Sequence, residues 1–217
     1  PFTGLDDDRP PLAAPLYGAI HPEAYQLVPV LRALEMPRVA LLLADAVGLG
    51  KTIQAGMVLR ELMLRRRIRR VLVLCPAALR TQWRDEMLDK FALQFDMVDR
   101  PATLRLQREI GVDANPWRTH DRIIASYHYL KQPDVMEQFR AAAEPGEDGR
   151  LRWDLLVVDE AHNLSPASFG PDSDVSKMLQ HIAPWFEHRI FLTATPHNGH
   201  TRSFSGLLEI LAPVRFT

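Results

Sequence analysis

The sequence predicts an α/β fold: a mainly parallel central sheet with helices on both faces. Three observations point there. Short apolar runs alternate with stretches of helical spacing along the whole chain. The runs are continuous rather than alternating, as in parallel strands buried on both faces. The residues suited to phosphate and metal chemistry fall just after such runs, where open parallel sheets hold their ligands.

The elements follow in order. Residues 1–20 carry Asp6-Asp7-Asp8 and prolines at 10, 11 and 15, which predicts an extended lead-in, with one domain over 21–217. Leu27, Val30, Leu31 and Leu34 predict a helix over 24–34, kinked at Pro29 or starting near it. Residues 39–43 read as a buried strand, 52–65 as a helix, and 71–74 as a strand stopped by Pro76. A helix over 79–91, a short strand over 95–98, a helix over 103–110 and a strand over 122–126 come next. A helix over 133–143 runs into the exposed loop 144–149, followed by a strand over 155–158. A helix over 175–182, a strand over 190–192 and a helix over 204–211 close the chain.

Composition narrows the function. The chain has 217 residues, 47% apolar and 24% charged, enough for one good core or two small ones. No run approaches the ~18 consecutive apolar residues of a membrane span, so no membrane partner is expected. The start, Pro1-Phe2-Thr3-Gly4, has neither initiator Met nor a signal pattern, and a fragment of a longer protein is expected. The one cysteine, Cys75, excludes an internal disulfide or cysteine-rich zinc site and fits a reducing, cytoplasmic setting. Net charge is −1, so any nucleic-acid contact must come from a local patch and backbone amides.

Two motifs carry chemistry. The first is Ala44-Asp45-Ala46-Val47-Gly48-Leu49-Gly50-Lys51-Thr52, between a strand and a helix. Its glycines let backbone amides curl toward phosphate oxygens, and the helix N-terminus adds a favourable field. Lys51 is suited to the β- and γ-phosphates of ATP, and the Thr52 hydroxyl to Mg²⁺. A strict phosphate loop has glycine where Asp45 stands. The second is Asp159-Glu160-Ala161-His162 at the end of an apolar strand. A strand end on the same sheet edge would bring Asp159 to the magnesium held by Thr52, with Glu160 polarising the attacking water. His162 reads as a coupling group rather than a metal ligand.

These residues resemble helicase superfamily two, specifically its SWI/SNF-type ATPases, with the first-lobe motifs in family order from about Tyr25 to Phe216. The resemblance implies a RecA-like first lobe of a DNA-dependent ATPase that translocates on double-stranded DNA. Tyr25-Gln26 resembles the glutamine motif that reads adenine. Asp45 matches this branch's form of the phosphate loop, whereas Ala46 departs from the glutamate usual there, which bears on hydrolysis. Cys75-Pro76 with Gln82-Trp83 and Ser126-Tyr127 resemble motifs Ia and Ib, which implies a nucleic-acid track at Pro76, Gln82, Ser126 and Tyr127. Leu192-Thr193-Ala194-Thr195-Pro196 resembles motif III, which implies coupling roles for Thr193 and Thr195 beside His162. The phrase from His197 to Leu211 looks most like bacterial members, among them RNA-polymerase-recycling ATPases and helicase-like subunits of phage-defence systems, so protein partners are also expected. Family motors complete the site with arginines of a second RecA-like lobe, which is not in this chain. Two other readings stay open: a nucleotide-dependent binding module without productive hydrolysis, and an RNA helicase lobe of the same superfamily.

Other signals have plainer readings. Arg65-Arg66-Arg67-Ile68-Arg69-Arg70 reads as a solvated helix cap in preference to a DNA contact. Trp83, at helical spacing with Leu79 and Met87, reads as core. The histidines show no metal-ligand spacing.

Overall fold

The computed structural model of the chain describes residues 12, 23–44, 50–195 and 201–213. Six strands, β1 (Ala40–Leu43), β2 (Val71–Cys75), β3 (Asp96–Met97), β4 (Arg122–Ser126), β5 (Trp153–Val158) and β6 (Phe186–Leu192), make one sheet in the spatial order β1-β6-β5-β2-β4-β3. Every neighbouring pair is parallel. All strands therefore end on one edge, and the segments that leave them share it.

The two faces have separate cores. Val71, Val73 and Cys75 of β2 point to one face with Leu155 and Val157 of β5. They pack under α1 (Ala24–Glu35), α2 (Lys51–Leu64) and α3 (Arg80–Phe91), through Val30, Met57, Leu62, Trp83, Met87 and Phe91. Leu72, Leu74, Leu156 and Val158 point to the other face, covered by α7 (Pro133–Ala143), α8 (Asp174–Ile182) and α9 (Thr201–Leu211). Burying each such aliphatic side chain is worth ~1.5–3 kcal/mol, which is why uninterrupted apolar runs take central positions. An aromatic cluster anchors the second face: the Phe139 ring lies 5.1 Å from that of Trp117 and 5.8 Å from that of Trp185.

Helix starts follow local chemistry. Asp99 accepts the Ala102 amide at the head of α4 (Arg100–Ile110), and Ser173 accepts that of Ser176 at the head of α8. Apart from α4, α9 and β5, which start two or three residues earlier than expected, the structure differs from sequence expectation in four places. Helix α1 starts at Ala24, as the pattern over 24–34 predicts, and runs through Pro29 rather than beginning near it. Pro29 removes only the N–H that would reach the Tyr25 carbonyl, and Tyr25 is exposed, so water can take that acceptor. Strand β6 begins at Phe186, four residues before the apolar run, because His188 and Arg189 are polar yet find partners inside. Two short helices, α5 (Pro116–Thr119) and α6 (Tyr127–Leu130), are additional.

The fourth difference is the arginine run, which is largely not a solvated cap. Arg67 donates to the carbonyls of Ala33, Met36 and Pro37 at the end of α1, at 3.2, 2.6 and 3.1 Å. Arg65 pairs at 2.7 Å with the buried Glu61 carboxylate. Arg70 donates to the Trp117 carbonyl at 2.6 Å and stacks 4.3 Å from the centre of the Trp153 ring. Arg66 and Arg69 stay exposed. A sequence window sees only charge density; the carbonyls that take up these guanidiniums come from distant segments.

Gly56 of α2 faces the Phe91 ring of α3, and a Cβ there would overlap the ring. Helix propensity favours alanine by ~1 kcal/mol, but overpacking costs ~1–3 kcal/mol. Gly56→Ala is therefore expected to lose about 1 kcal/mol of stability in urea unfolding; equal or higher stability would mean the two helices part freely.

The buried His188 accepts the Val39 amide through Nδ1 at 3.0 Å. Burial, reinforced by Arg67 and Arg38, holds its pKa below the ordinary value. The unfolded chain takes up this proton near pH ~6.5, while the folded chain resists it. Stability from this group is thus complete above that pH and falls as pH drops through it. Between pH 7.5 and 5.5, His188→Gln should lose less stability than the parent; an equal loss would sink the assignment.

Candidate nucleotide site

Three segments leaving the carboxyl edge of the sheet meet around a cavity of about 500 Å³. The start of α2 supplies Gly50, Lys51 and Thr52; the turn after β5 supplies Asp159 and Glu160; α3 supplies Gln82, Trp83, Glu86 and Lys90. A larger cavity of about 590 Å³ lies elsewhere, between α8, α9 and the loop at Pro166. It holds none of the predicted site residues. Its Arg189 is occupied by the carbonyls of Ala183 and Leu211, at 2.8 and 3.2 Å.

Gly50 caps α2 at φ +77°, a left-handed backbone that favours glycine. A side chain there would also meet Gln26 Nε2 at 2.8 Å, so α1 lies directly over the start of α2. Gln26 Oε1 accepts the Glu23 amide at 3.1 Å in a capping box. The carboxamide oxygen thus holds the first turn of α1 while the nitrogen faces Gly50. Asp45, Gly48 and Leu49, like Ala46, lie outside the described residues.

Asp159 is buried at 7% exposure, and each of its carboxylate oxygens receives a hydrogen bond. Trp83 Nε1 donates to Oδ2 at 2.8 Å, and the Glu160 amide donates to Oδ1 at 2.9 Å. Two donors on different segments restrict rotation of the carboxylate. Glu160 has φ +49°, which costs a non-glycine residue ~1–2 kcal/mol. Glu160 is the second residue past β5 and is partly exposed at the cavity. Cys75, at the end of β2, is a packing residue: burial and then the Asp159 charge push its thiol up to about 12.

His162 Nδ1 lies 3.0 Å from Thr193 Oγ1 and 3.4 Å from Glu160 Oε2. Thr193 is fully buried, and its hydroxyl also accepts the Thr195 amide at 3.2 Å. The turn after β5 is thereby joined to the segment after β6. The four residues of the expected nucleic-acid track are not brought together as one surface. Pro76 is partly exposed, and Gln82 lines the cavity. Ser126 and Tyr127 are buried: Ser126 Oγ accepts the Tyr129 amide at 3.1 Å, and Tyr127 Oη accepts from Asn163 Nδ2 at 3.2 Å. Ala77, Ala78, His128 and Lys131 are the exposed neighbours of these positions.

Sequence reading missed Trp83, Glu86 and Lys90 as cavity residues. The signal was available: Gln82, Glu86 and Lys90 repeat at i, i+4, i+8 on one helix face. Gln82 Nε2 donates to Glu86 Oε1 at 2.9 Å, and Lys90 Nζ lies 3.6 Å from Glu86 Oε2. The donors in the cavity suit a hard cation, since a hydroxyl and a carboxylate are both oxygen ligands. Among the described residues no cluster of three or more His, Cys, Asp or Glu can hold a metal by itself. A hydroxyl and a carboxylate beside a lysine suit Mg²⁺, which is commonly held by one or two carboxylates together with substrate phosphates.

A parallel α/β sheet with Lys51, Thr52 and the strand-end carboxylates Asp159 and Glu160 around one cavity is the architecture of a RecA-like lobe. Within that class the chain belongs to the SNF2-related domain family, which it matches over residues 25–217. RNA polymerase-associated protein RapA of Yersinia enterocolitica is 36% identical over 181 residues, covering 83% of this chain and 17% of that protein. RapA of Yersinia pestis shows the same identity and coverage. The chain therefore spans only 17% of the length of these curated relatives. Among solved structures, the Sulfolobus solfataricus SWI2/SNF2 ATPase core in complex with double-stranded DNA superposes with TM-score 0.69 at 22% identity, covering 94% of this chain and 38% of that one. The UvsW helicase of bacteriophage T4 gives TM-score 0.59 at 16% identity, over 87% of this chain and 58% of that one. At these identities the structures speak for the fold. Among the described residues no helix is long and apolar enough to cross a membrane.

Proposed function

We propose that this chain is the ATP-binding first lobe of a DNA-dependent ATPase that moves along double-stranded DNA. The observation that carries this reading is the meeting of Lys51, Thr52, Asp159 and Glu160 in one cavity. The Lys51 ammonium neutralises β- and γ-phosphate charge, beside amides at the head of α2. Thr52 and Asp159 would hold Mg²⁺, which supplies charge neutralisation on the phosphates when bound. Glu160 orients and deprotonates the attacking water. Gln26, whose side chain lies against Gly50, would read adenine, as the glutamine-motif resemblance implies.

The His162 contact to Thr193 gives Glu160 a physical route to the segment after β6. On this reading a change at the γ-phosphate is felt at Thr193 and Thr195, and from there at the DNA grip. The grip itself engages the phosphate backbone, so it carries little sequence preference. Two relatives support these choices: a SWI2/SNF2 core solved with double-stranded DNA, and RapA, described as RNA polymerase-associated. A protein partner in transcription is accordingly part of the proposal.

In the full-length protein, Glu160→Gln should lower ATPase by about 10²–10⁴-fold while nucleotide binding persists. Unchanged turnover would refute the assignment, and no turnover in either protein would favour the binding-module reading. Duplex DNA should stimulate hydrolysis more than RNA; the reverse preference would make this an RNA helicase lobe. The 217 residues alone should bind ATP but turn it over slowly, since arginines contributed by a second lobe are worth ~10³–10⁵ in rate. Robust DNA-stimulated hydrolysis by the lobe alone would contradict that division of labour.

A further inference from the structure

We infer that Trp83 is a positioning residue for the metal site, holding the Asp159 carboxylate in the orientation that receives Mg²⁺. The inference rests on the proposed reading of Asp159 as a metal ligand and adds a residue to that site.

Three observations carry it. The indole N–H donates to Asp159 Oδ2 at 2.8 Å, with Trp83 at 1% exposure and Asp159 at 7%. Oδ1 is meanwhile fixed by the Glu160 amide at 2.9 Å. Neither donor saturates its oxygen: each carboxylate oxygen has two lone pairs, so a free lone pair remains for a cation. The carboxylate is therefore oriented without being blocked. Finally, Trp83 itself lines the cavity with Lys51 and Thr52. Among the described residues, the equally buried Trp117 and Trp153 leave their indole Nε1 without a hydrogen-bond partner, whereas Trp83 aims its own at a buried carboxylate 76 positions away in sequence.

The ring and the N–H have separable tasks. The ring fills the core between α3 and the sheet with Met87 and Phe91. The N–H acts on Asp159 alone. Without it, Oδ2 loses a buried donor and the carboxylate is free to turn about its side-chain bonds. Partners that orient a metal ligand are typically worth 10–100-fold in metal affinity. Nucleotide contacts that involve no metal, through Lys51 and the head of α2, should be untouched.

The experiment uses the full-length protein and reads binding rather than turnover. A fluorescent ATP analogue is titrated in EDTA and again over a range of Mg²⁺ concentrations. Trp83→Phe, which keeps a ring and removes the donor, should leave affinity in EDTA within about twofold and raise the Mg²⁺ needed for half-maximal tightening by about tenfold or more. An unchanged Mg²⁺ requirement would overturn the inference, as would an equal loss with and without Mg²⁺. Should Trp83→Phe fail to fold, the isostere β-(3-benzothienyl)alanine at position 83 keeps the volume, puts sulfur in place of the N–H, and reads the same quantity. Asp159→Asn serves as the reference. If it too leaves the Mg²⁺ requirement unchanged, the metal-ligand reading of Asp159 has failed; if only the Trp83 variants do, this inference alone has failed.

Discussion

The pairing of β2 with β5 is the constraint on which the rest depends. These parallel neighbours are buried on both faces, in register from Val71 opposite Leu155 to Leu74 opposite Val158. At the amino edge, Asp154 accepts the amides of both Arg69 and Arg70 at 2.7 Å, which sets where the pairing begins. At the carboxyl edge, the Asp159 amide donates to the Leu74 carbonyl at 2.8 Å, which sets where it ends. A slip of one residue would turn every side chain of β5 to the opposite face. It would also carry Asp159 away from Trp83, since α3 is reached directly from β2. Sheet register and carboxylate position are one constraint.

That dependence explains which parts of the fold were legible in the sequence. Runs such as 71–75 and 155–158 are short, apolar throughout and rich in Val and Leu, which is the pattern of strands covered on both faces. Element type therefore followed from local composition. Residues 186–189 gave no such signal, because His188 and Arg189 look like surface residues until Val39 and the Ala183 carbonyl arrive from elsewhere. The arginine run failed for the same reason: Arg67 is satisfied by carbonyls 30 to 34 positions away. Pattern reading recovers what neighbours along the chain decide and loses what distant partners decide.

The site divides along the same line. Lys51, Thr52, Asp159 and Glu160 were legible because each follows a strand, and all strands of a parallel sheet end together. The wall formed by α3 was not, since Trp83 has the spacing of a core residue and is in fact buried like one. What distinguishes it is the direction of a single N–H, which spacing does not encode. The motifs read as a nucleic-acid track show the difference between a segment and its atoms. Ser126 and Tyr127 stand in the right segment, but their hydroxyls serve the backbone of α6 and the side chain of Asn163. A motif locates a segment; burial decides which of its atoms can meet a ligand.

Helix α3 consequently belongs to two environments at once. Its approach, from Pro76 through the exposed Ala77 and Ala78, lies on the surface where motif resemblance puts the nucleic acid. Its second turn holds the carboxylate of Asp159. Between these points are only a short 3-10 turn and the first residues of one helix. The contact of His162 with Thr193 joins the same carboxylate turn to the segment after β6. The turn at 159–160 is thus held from two sides, by α3 and by the end of β6, and its backbone is strained at Glu160. Strain of this kind persists only where surrounding structure over-determines it. Here the over-determination comes from the two elements through which, on the proposed reading, bound DNA would act on the water-activating glutamate.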